Sequence, residues 1–310
     1  MKYTKNINMF DKIDTEEKAY WLGMLMADGS IAWQKTKKGI KLYGIKFGLC
    51  DIDVMNKYKK FFDIGDNVPY QILQQEGCQP VYYLYINCHK IAEDLSKHGV
   101  IPNKTHRIQI PVMPKNMIRH FIRGYFDGDG CIYIRDRKLN GGLISKRTFV
   151  CITSCSDKIL EQIETICKDF NLIRKNKSFI RYPKTYNNKQ HPPFFGLNHR
   201  MDICNFLNFI YKDATIYMER KYNLYISIKD KLLYNKVSIK NKFFGVTYIP
   251  KNTKRPYYAQ FEHNNIKHKI GYFKNEIDAA KAYNAKIIEL NLPETMLNKI
   301  EEAPNLLFQL

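Results

Sequence analysis

The sequence predicts an α+β fold: two pseudo-symmetric αββαββα halves, followed by a small three-stranded sheet with one packed helix. Three observations carry this. YWLGMLMADGS at 20–30 and FIRGYFDGDGC at 121–131 are apolar, helix-compatible stretches that both end in Asp-Gly. Each is followed by the same succession of strand-like and helix-like segments, the signature of an internal repeat. From residue 243 the pattern changes to three short strand-like runs and one amphipathic helix.

In the first half, a strand around Ile31–Gln34, a basic turn and a strand over Lys41–Leu49 lead into the helix DIDVMNKYKKFF, and Val68–Leu73 with Val81–Asn87 form a second hairpin. The counterparts in the second half are Cys131–Arg135, Arg147–Thr153, the helix SDKILEQIETICKDF, Ser178–Tyr182 and Phe194–Leu197. Each half then runs through a helical segment to a lysine, Lys104 in PNKT and Lys221 in ERKY. Pro111 and Pro114 make 107–115 a short, stiff connection. The expected boundaries are 1–110 and 111–228 for the halves, 229–242 for a basic linker, 243–292 for a C-terminal domain and 293–310 for a tail.

Lys and Arg number 50 against 30 Asp and Glu, a net charge of +20 over 310 residues. The excess runs through most of the chain, which favours a polyanionic partner: neutralising phosphates releases condensed counterions. The eight cysteines include no C-x-x-C pair and none at zinc-finger spacing with histidines, so they read as reduced thiols. No apolar run reaches signal-peptide or membrane-span length, and the expectation is a soluble, intracellular protein, a monomer without a membrane partner.

Glycine weakens a helix interior, yet Gly23 and Ala27, and Gly124 and Gly128, recur at i and i+4. Small residues on one face let two helix backbones approach closely. Packed face to face, the two repeat helices would bring Asp28 and Asp129 together at their C-terminal ends. A carboxylate there opposes the helix dipole at roughly 0.3–1 kcal/mol, and two carboxylates also repel each other. Hard oxygen ligands beside a phosphate-binding surface point to Mg²⁺, with Mn²⁺ or Ca²⁺ able to substitute for binding. Such an ion would polarise a scissile phosphate and activate a water.

WLGMLMADG at 21–29 and IRGYFDGDG at 122–130 resemble the paired motifs of the LAGLIDADG homing endonucleases, over about residues 15–228. The resemblance places the family's essential acidic residue on Asp28 and Asp129, metal-binding carbonyls on Ala27 and Gly128, and active-site lysines on Lys104 and Lys221. It also implies a saddle of curved antiparallel sheets laid into the major groove of double-stranded DNA, with a cut that leaves short 3′ overhangs. Lys46 and Cys151 fall near a polar position that orders water. The sixth motif position, Met26 in one copy and Asp127 in the other, reads as tolerated variation.

On this resemblance, DNA contacts are expected from Gln34, Lys35, Lys37, Lys38, Lys41, Lys46, Arg135, Arg137, Lys146, Arg147, Arg181 and Lys184; lysines in turns position on phosphate, and arginines on strands read bases. Residues 243–291 resemble the Apetala-two/ethylene-response-factor DNA-binding domain through Gly245, Val246, Tyr257, Ala259, Gly271, Tyr272, Phe273, Ala279, Ala280, Ala282 and Tyr283. Asn275 is the expected helix cap, and Tyr257, Gln260, Lys267 and Lys269 are the expected contacts. The function expected from the whole is a site-specific DNA endonuclease making a metal-dependent double-strand break. An RNA-binding splicing helper for a host intron and a non-cleaving DNA-binding regulator are the other readings of the same fold.

Overall fold

The computed structural model describes residues 5–138, 144–183, 191–233, 243–249, 252–263 and 266–300. The chain is α+β and divides into two compact units, residues 1–232 and 233–310.

In the first unit, helix α1 (Glu16–Ala27) leads into strands β1 (Ser30–Thr36) and β2 (Gly39–Leu49), helix α2 (Ile52–Phe61), strands β3 (Gln71–Leu73) and β4 (Val81–Ile86), and helix α3 (His89–Lys97). The order then repeats as α4 (Ile118–Asp129), β5 (Gly130–Lys138), β6 (Ile144–Thr153), α5 (Asp157–Asp169), β7 (Ile180–Arg181), β8 (Phe194–Leu197) and α6 (Arg200–Tyr211), before a further helix, α7 (Glu219–Leu233). Both four-stranded antiparallel sheets have one spatial order: β1-β2-β4-β3 and β5-β6-β8-β7. The repeat read from the sequence is therefore a repeat in space.

Its two copies share one continuous core, from Phe10, Trp21 and Met24 through Phe121 and Tyr125 to Phe206 and Tyr225. Helix α1 begins because the Thr15 side chain accepts the Lys18 N–H at 3.3 Å, satisfying one orphan donor of the first turn. It packs against α4 at contact distance: a Cβ on Gly23 would lie 2.1 Å from the Phe121 carbonyl oxygen, and one on Gly124 would lie 1.9 Å from that of Tyr20. Only glycine admits that approach.

Some boundaries differ from those expected, for local reasons. Strand β3 starts at Gln71 rather than Val68, because Pro69 supplies no N–H and restricts the residue before it. Strand β7 shrinks to two residues: the Phe179 N–H is taken by Glu164 Oε1 at 3.0 Å, the Ile180 N–H by Ser178 Oγ at 3.3 Å, and Pro183 follows. Lys221 lies inside α7, which has no counterpart in the first half, whereas Lys104 opens a single 3-10 turn, Lys104–His106. Helix α7 also runs through 229–233, which the sequence reading gave to a linker; residues 234–242 lie outside the described residues.

In the second unit, β9 (Val246–Tyr248), β10 (Tyr257–His263) and β11 (Ile266–Phe273) form an antiparallel sheet in the order β11-β10-β9, with α8 (Glu276–Glu289) packed on one face. Asn275 caps α8, its Oδ1 accepting the Asp278 N–H at 2.8 Å. Ala279, Ala280 and Tyr283 are buried against Val246, Ala259 and Phe261. Gly245 sits at φ +66°, and a Cβ there would strike the Tyr283 ring at 2.1 Å, so this turn needs glycine for conformation and for space. The expected tail does not begin at 293. Asn298 exchanges hydrogen bonds with Asn284 (2.7 and 2.8 Å) and also bonds the backbone of Phe244, which makes 293–300 part of this unit.

Candidate active site

Because α1 and α4 touch along their glycines, their C-terminal ends emerge together. Asp28 follows α1 and Asp129 ends α4, and the place a Gly128 Cβ would occupy is 2.8 Å from Asp28 Oδ2 and 2.4 Å from the Ala27 methyl. The four residues expected as metal donors, Asp28, Asp129, Ala27 and Gly128, are thus one cluster. Asp28 reaches solvent but stands in a crowd of protein atoms, and Asp129 is half-buried. Desolvation, then the charge of Asp129, pushes the Asp28 carboxyl up to about 6, against the pull of Lys221 and Lys104. Desolvation also raises Asp129, opposed by the Tyr125 hydroxyl and both lysines. The arrangement would suit a cation: burial penalises both carboxylates and Asp129 repels Asp28, a cost the two nearby lysines offset only in part and a bound positive charge would relieve. Among the described residues no group of three or more His, Cys, Asp and Glu side chains forms a metal site, so carbonyls, water and substrate would complete the shell.

Both predicted lysines arrive. Lys104 is half-buried and donates to the Ala27 carbonyl at 3.1 Å. Lys221 is buried and caps the end of α4, donating to the carbonyls of Phe126 (2.8 Å), Asp127 (2.7 Å), Gly130 and, at 3.5 Å, Gly128. It gives the last carbonyls of α4 a donor, the Phe126 carbonyl accepting the Gly130 N–H as well. Burial lowers its ammonium to about 8, and lowers that of Lys104 as well. Each lysine follows the last helix of its own repeat copy, from a different local structure, and the two differ in burden.

Three features of the site were missed by sequence reasoning. Asp127 is a fully buried joint rather than a tolerated variant: its carboxylate accepts from Tyr20 (3.0 Å) of the other half, Tyr211 (2.6 Å) and the Met218 N–H (2.8 Å). Arg123, also fully buried, donates to the carbonyls of Ile216 and Ile210 (both 2.8 Å) and to Glu16 of α1 (2.6 Å). Arg220 pairs with Asp51 of the first half at 2.6 Å, beside Lys221. An acidic residue directly after the apolar Tyr125 and Phe126 was the available signal for Asp127; its partners lie 84 to 107 residues away in sequence, beyond any local pattern.

The sheets sort the expected nucleic-acid contacts by face. Ser30 pairs with Lys46 and Cys131 with Cys151, so the two residues predicted at equivalent places are equivalent in register. On the face opposite the core, Lys46 lies 4.4 and 5.4 Å over the rings of Tyr83 and Tyr85, and Arg135 lies 4.8 Å over Tyr133, itself stacked on Phe149. Arg147 pairs with Arg135, and Gln34 with Lys41, on these same faces. Lys35 pairs with Ile40 and Lys146 with Asp136, which by the period-two alternation of a strand puts both on the opposite face. Both therefore lie off the face that carries Lys46 and Arg135. Lys37 and Lys38 are exposed in the β1–β2 turn and Arg181 is exposed on β7; the Arg137 side chain and Lys184 lie outside the described residues.

Alternation also separates Tyr257 from the other three contacts expected in the second unit. Tyr257 packs on the helix-facing side of the second unit's sheet beside Ala259, and Tyr258 faces outward, 4.5 Å from Tyr272. The Gln260–Lys269 and Glu262–Lys267 pairs share that open face. Tyr83, Tyr85, Tyr133, Phe149 and Tyr258, aromatic residues of the open faces, are not among the contacts expected from the sequence.

Fold and site together define an α+β protein with a duplicated unit and a paired-carboxylate centre at the junction of its copies. Residues 116–209 match the family model described as "LAGLIDADG-like domain". A "DNA polymerase" of Acanthamoeba polyphaga mimivirus is 31% identical over 137 residues, 41% of this chain and 8% of that protein. A "Probable translation initiation factor IF-2" of Methanocaldococcus jannaschii is 24% identical over 201 residues, 60% of this chain and 14% of the relative. The "DNA-directed RNA polymerase subunit Rpo1C" of the same organism is 29% identical over 180 residues, 18% of its length. The chain therefore spans less than a fifth of each. Among solved structures it is similar to the I-SmaMI LAGLIDADG homing endonuclease bound to cleaved DNA (13% identity, 69% of this chain and 88% of that chain, TM-score 0.45) and to I-LtrWI bound to target DNA (15%, 73% and 93%, TM-score 0.44).

Proposed function

We propose that the chain is a site-specific DNA endonuclease, acting as a monomer on a long duplex and depending on Mg²⁺ held by Asp28, Asp129 and the carbonyls of Ala27 and Gly128. The observation that carries this is the single cluster of two aspartates, raised by desolvation and, at Asp28, by the neighbouring charge, at the ends of two helices in glycine contact. When bound, the ion supplies charge neutralisation at a phosphate and a lower pKa for an attacking water. The protein does the rest. Asp28 and Asp129 would hold the ion and accept hydrogen bonds from an attacking water, Lys104 adds positive charge on the first half's side, and Lys221 fixes the end of α4 while facing the same carboxylates.

The open faces of the first unit's sheets take the duplex through Gln34, Lys41, Lys46, Arg135 and Arg147, with Tyr83, Tyr85, Tyr133 and Phe149 as flat apolar neighbours. The second unit acts as a further DNA arm of the Apetala-two type through Gln260, Lys267, Lys269, Tyr258 and Tyr272. The curated relatives support a mobile element: three proteins with unrelated names share with this chain only 8, 14 and 18% of their lengths, so what recurs is a segment rather than the host's activity. The test is cleavage of a randomised duplex library in Mg²⁺ with sequencing of the ends. Wild type should yield one recurrent site, and Asp28→Asn or Asp129→Asn should bind that site without cutting it. Equal cutting by the double variant would overturn the reading.

A further inference from the structure

Cys131 and Cys151 stand directly opposite each other in the β5–β6 ladder. Both are free thiols; Cys131 is exposed on the edge strand β5, and Cys151 is half-buried on β6. Residues opposite one another in an antiparallel pair have Cα atoms about 4.5–5.5 Å apart, inside the roughly 4.4–6.8 Å range of disulfides. Their Cβ atoms lie about 4.5–5.5 Å apart against about 3.8 Å in a disulfide, so an approach of about 1 Å closes the bond. On its other side Cys151 faces Gly196, which places no side chain against the thiol. None of the other six cysteines stands opposite a cysteine in the ladders of the described residues.

We infer that Cys131 and Cys151 are a dithiol site that takes a small-molecule disulfide, oxidised glutathione being the type, and closes into a cross-strand disulfide that slows the centre beside it. The exposed Cys131 sulfur attacks one sulfur of glutathione disulfide, its proton passing to water; a mixed disulfide forms and one glutathione thiolate leaves. The Cys151 sulfur then attacks the Cys131 sulfur, loses its proton and displaces the second glutathione. Two protein thiols have given up two electrons and two protons, and one disulfide has been reduced to two thiols. The half-buried position of Cys151 makes it the resolving partner.

Position gives the bond its effect. Cys131 follows Gly130, whose carbonyl accepts from Lys221, and Asp129 is one residue earlier. Drawing Cys131 toward β6 moves both. In the first half the equivalent pair is Ser30 and Lys46, which cannot be oxidised this way. The bond therefore acts on one half only.

The test uses the full chain incubated with oxidised glutathione and read by intact mass and non-reducing peptide mapping, a readout that does not depend on nuclease activity. Wild type should yield a linked peptide containing Cys131 and Cys151, two hydrogens lighter than the two reduced peptides, with no glutathione on either cysteine, whatever the exposed Cys50, Cys78 and Cys155 take up. Cys151→Ser should trap one glutathione on Cys131, and Cys131→Ser should form no linked peptide. Glutathione retained on wild-type Cys131, or no reaction, would overturn the site. The effect on the centre rests on the proposed endonuclease activity: the oxidised protein should cut about tenfold more slowly, as a small displacement of a reacting group allows, with dithiothreitol restoring the rate and Cys131→Ser insensitive to oxidant. An unchanged rate in mass-verified disulfide protein would overturn the effect, and a reduced protein that cuts nothing would instead count against the endonuclease reading.

Discussion

Replacing Gly124 with Ala tests the helix contact on which the centre depends. The added Cβ would lie 1.9 Å from the Tyr20 carbonyl oxygen, 2.8 Å from its carbon and 3.0 Å from the Met24 nitrogen, all backbone atoms of α1. Ordinary contact begins at 3.4 Å, so the helices must part by about 1.5 Å at this point (3.4 − 1.9). No rotamer relieves the clash. Alanine favours the helix by about 1 kcal/mol over glycine, whereas overpacking of a filled interface costs about 1–3 kcal/mol or more. Separation also stretches the Tyr20–Asp127 and Arg123–Glu16 bonds that cross the same interface, which places the cost at the upper end. The net loss is about 2 kcal/mol, a fall in Tm of about 4–8 °C for a unit of this size. Calorimetry of Gly124→Ala and Gly23→Ala measures it, and cleavage should fall about 100-fold because Asp28 and Asp129 move with their helices. A Gly124→Ala protein that melts at or above the wild-type temperature would refute the contact.

Lys221→Met should lower stability by roughly 3 kcal/mol, because at least three carbonyls at the end of α4 lose a donor, whereas Lys104→Met, with one carbonyl at stake, should cost about 1 kcal/mol; urea unfolding of both separates the two roles. Desolvation, then Arg123, depresses His120 to about 4, so the unfolded chain takes up this proton first: stability is complete above about 6.5 and drains by roughly 3 kcal/mol as pH falls to 4, a slope His120→Gln should flatten in pH-dependent denaturation. Since the Asp28 proton leaves at about 6, Mn²⁺ affinity measured by calorimetry should weaken about tenfold per pH unit below that value and level off above it; affinity independent of pH from 4 to 7 would argue against Asp28 as a ligand. A chain ending near Leu233 should protect a shorter stretch of DNA and bind with a shallower salt slope, and an unchanged footprint would remove the second unit from the interface.

The parts of the candidate active site that could be read from the sequence are those written twice. Asp28 and Asp129, Gly23 and Gly124, and Lys104 and Lys221 each recur at matching points of the repeat, and pairing them needs only the assumption that equivalent helices meet. What recurs once stayed hidden. Asp127 has Met26 as its counterpart, so symmetry pointed away from it, and its partners come from α1, α6 and the approach to α7. Arg123 and Glu16 likewise find each other only once the two helices are in contact.

Strand faces were hidden for a different reason. A side chain's face depends on the parity of its position, and one extra residue reverses that parity for everything beyond it. Register shifts lie between Ala32 and Trp33 and between Ala259 and Gln260, inside the strands whose contacts were to be chosen. Lys35 and Lys146 were selected for charge in a basic neighbourhood, but each stands one residue from a partner on the opposite face. Tyr257 could have been excluded, since it shares a face with Ala259, two residues on and buried against the helix. Helix ends thus carried their chemistry in the sequence because identity and spacing suffice to place them, while the sheet surfaces needed the ladder to be seen before any residue could be given a side.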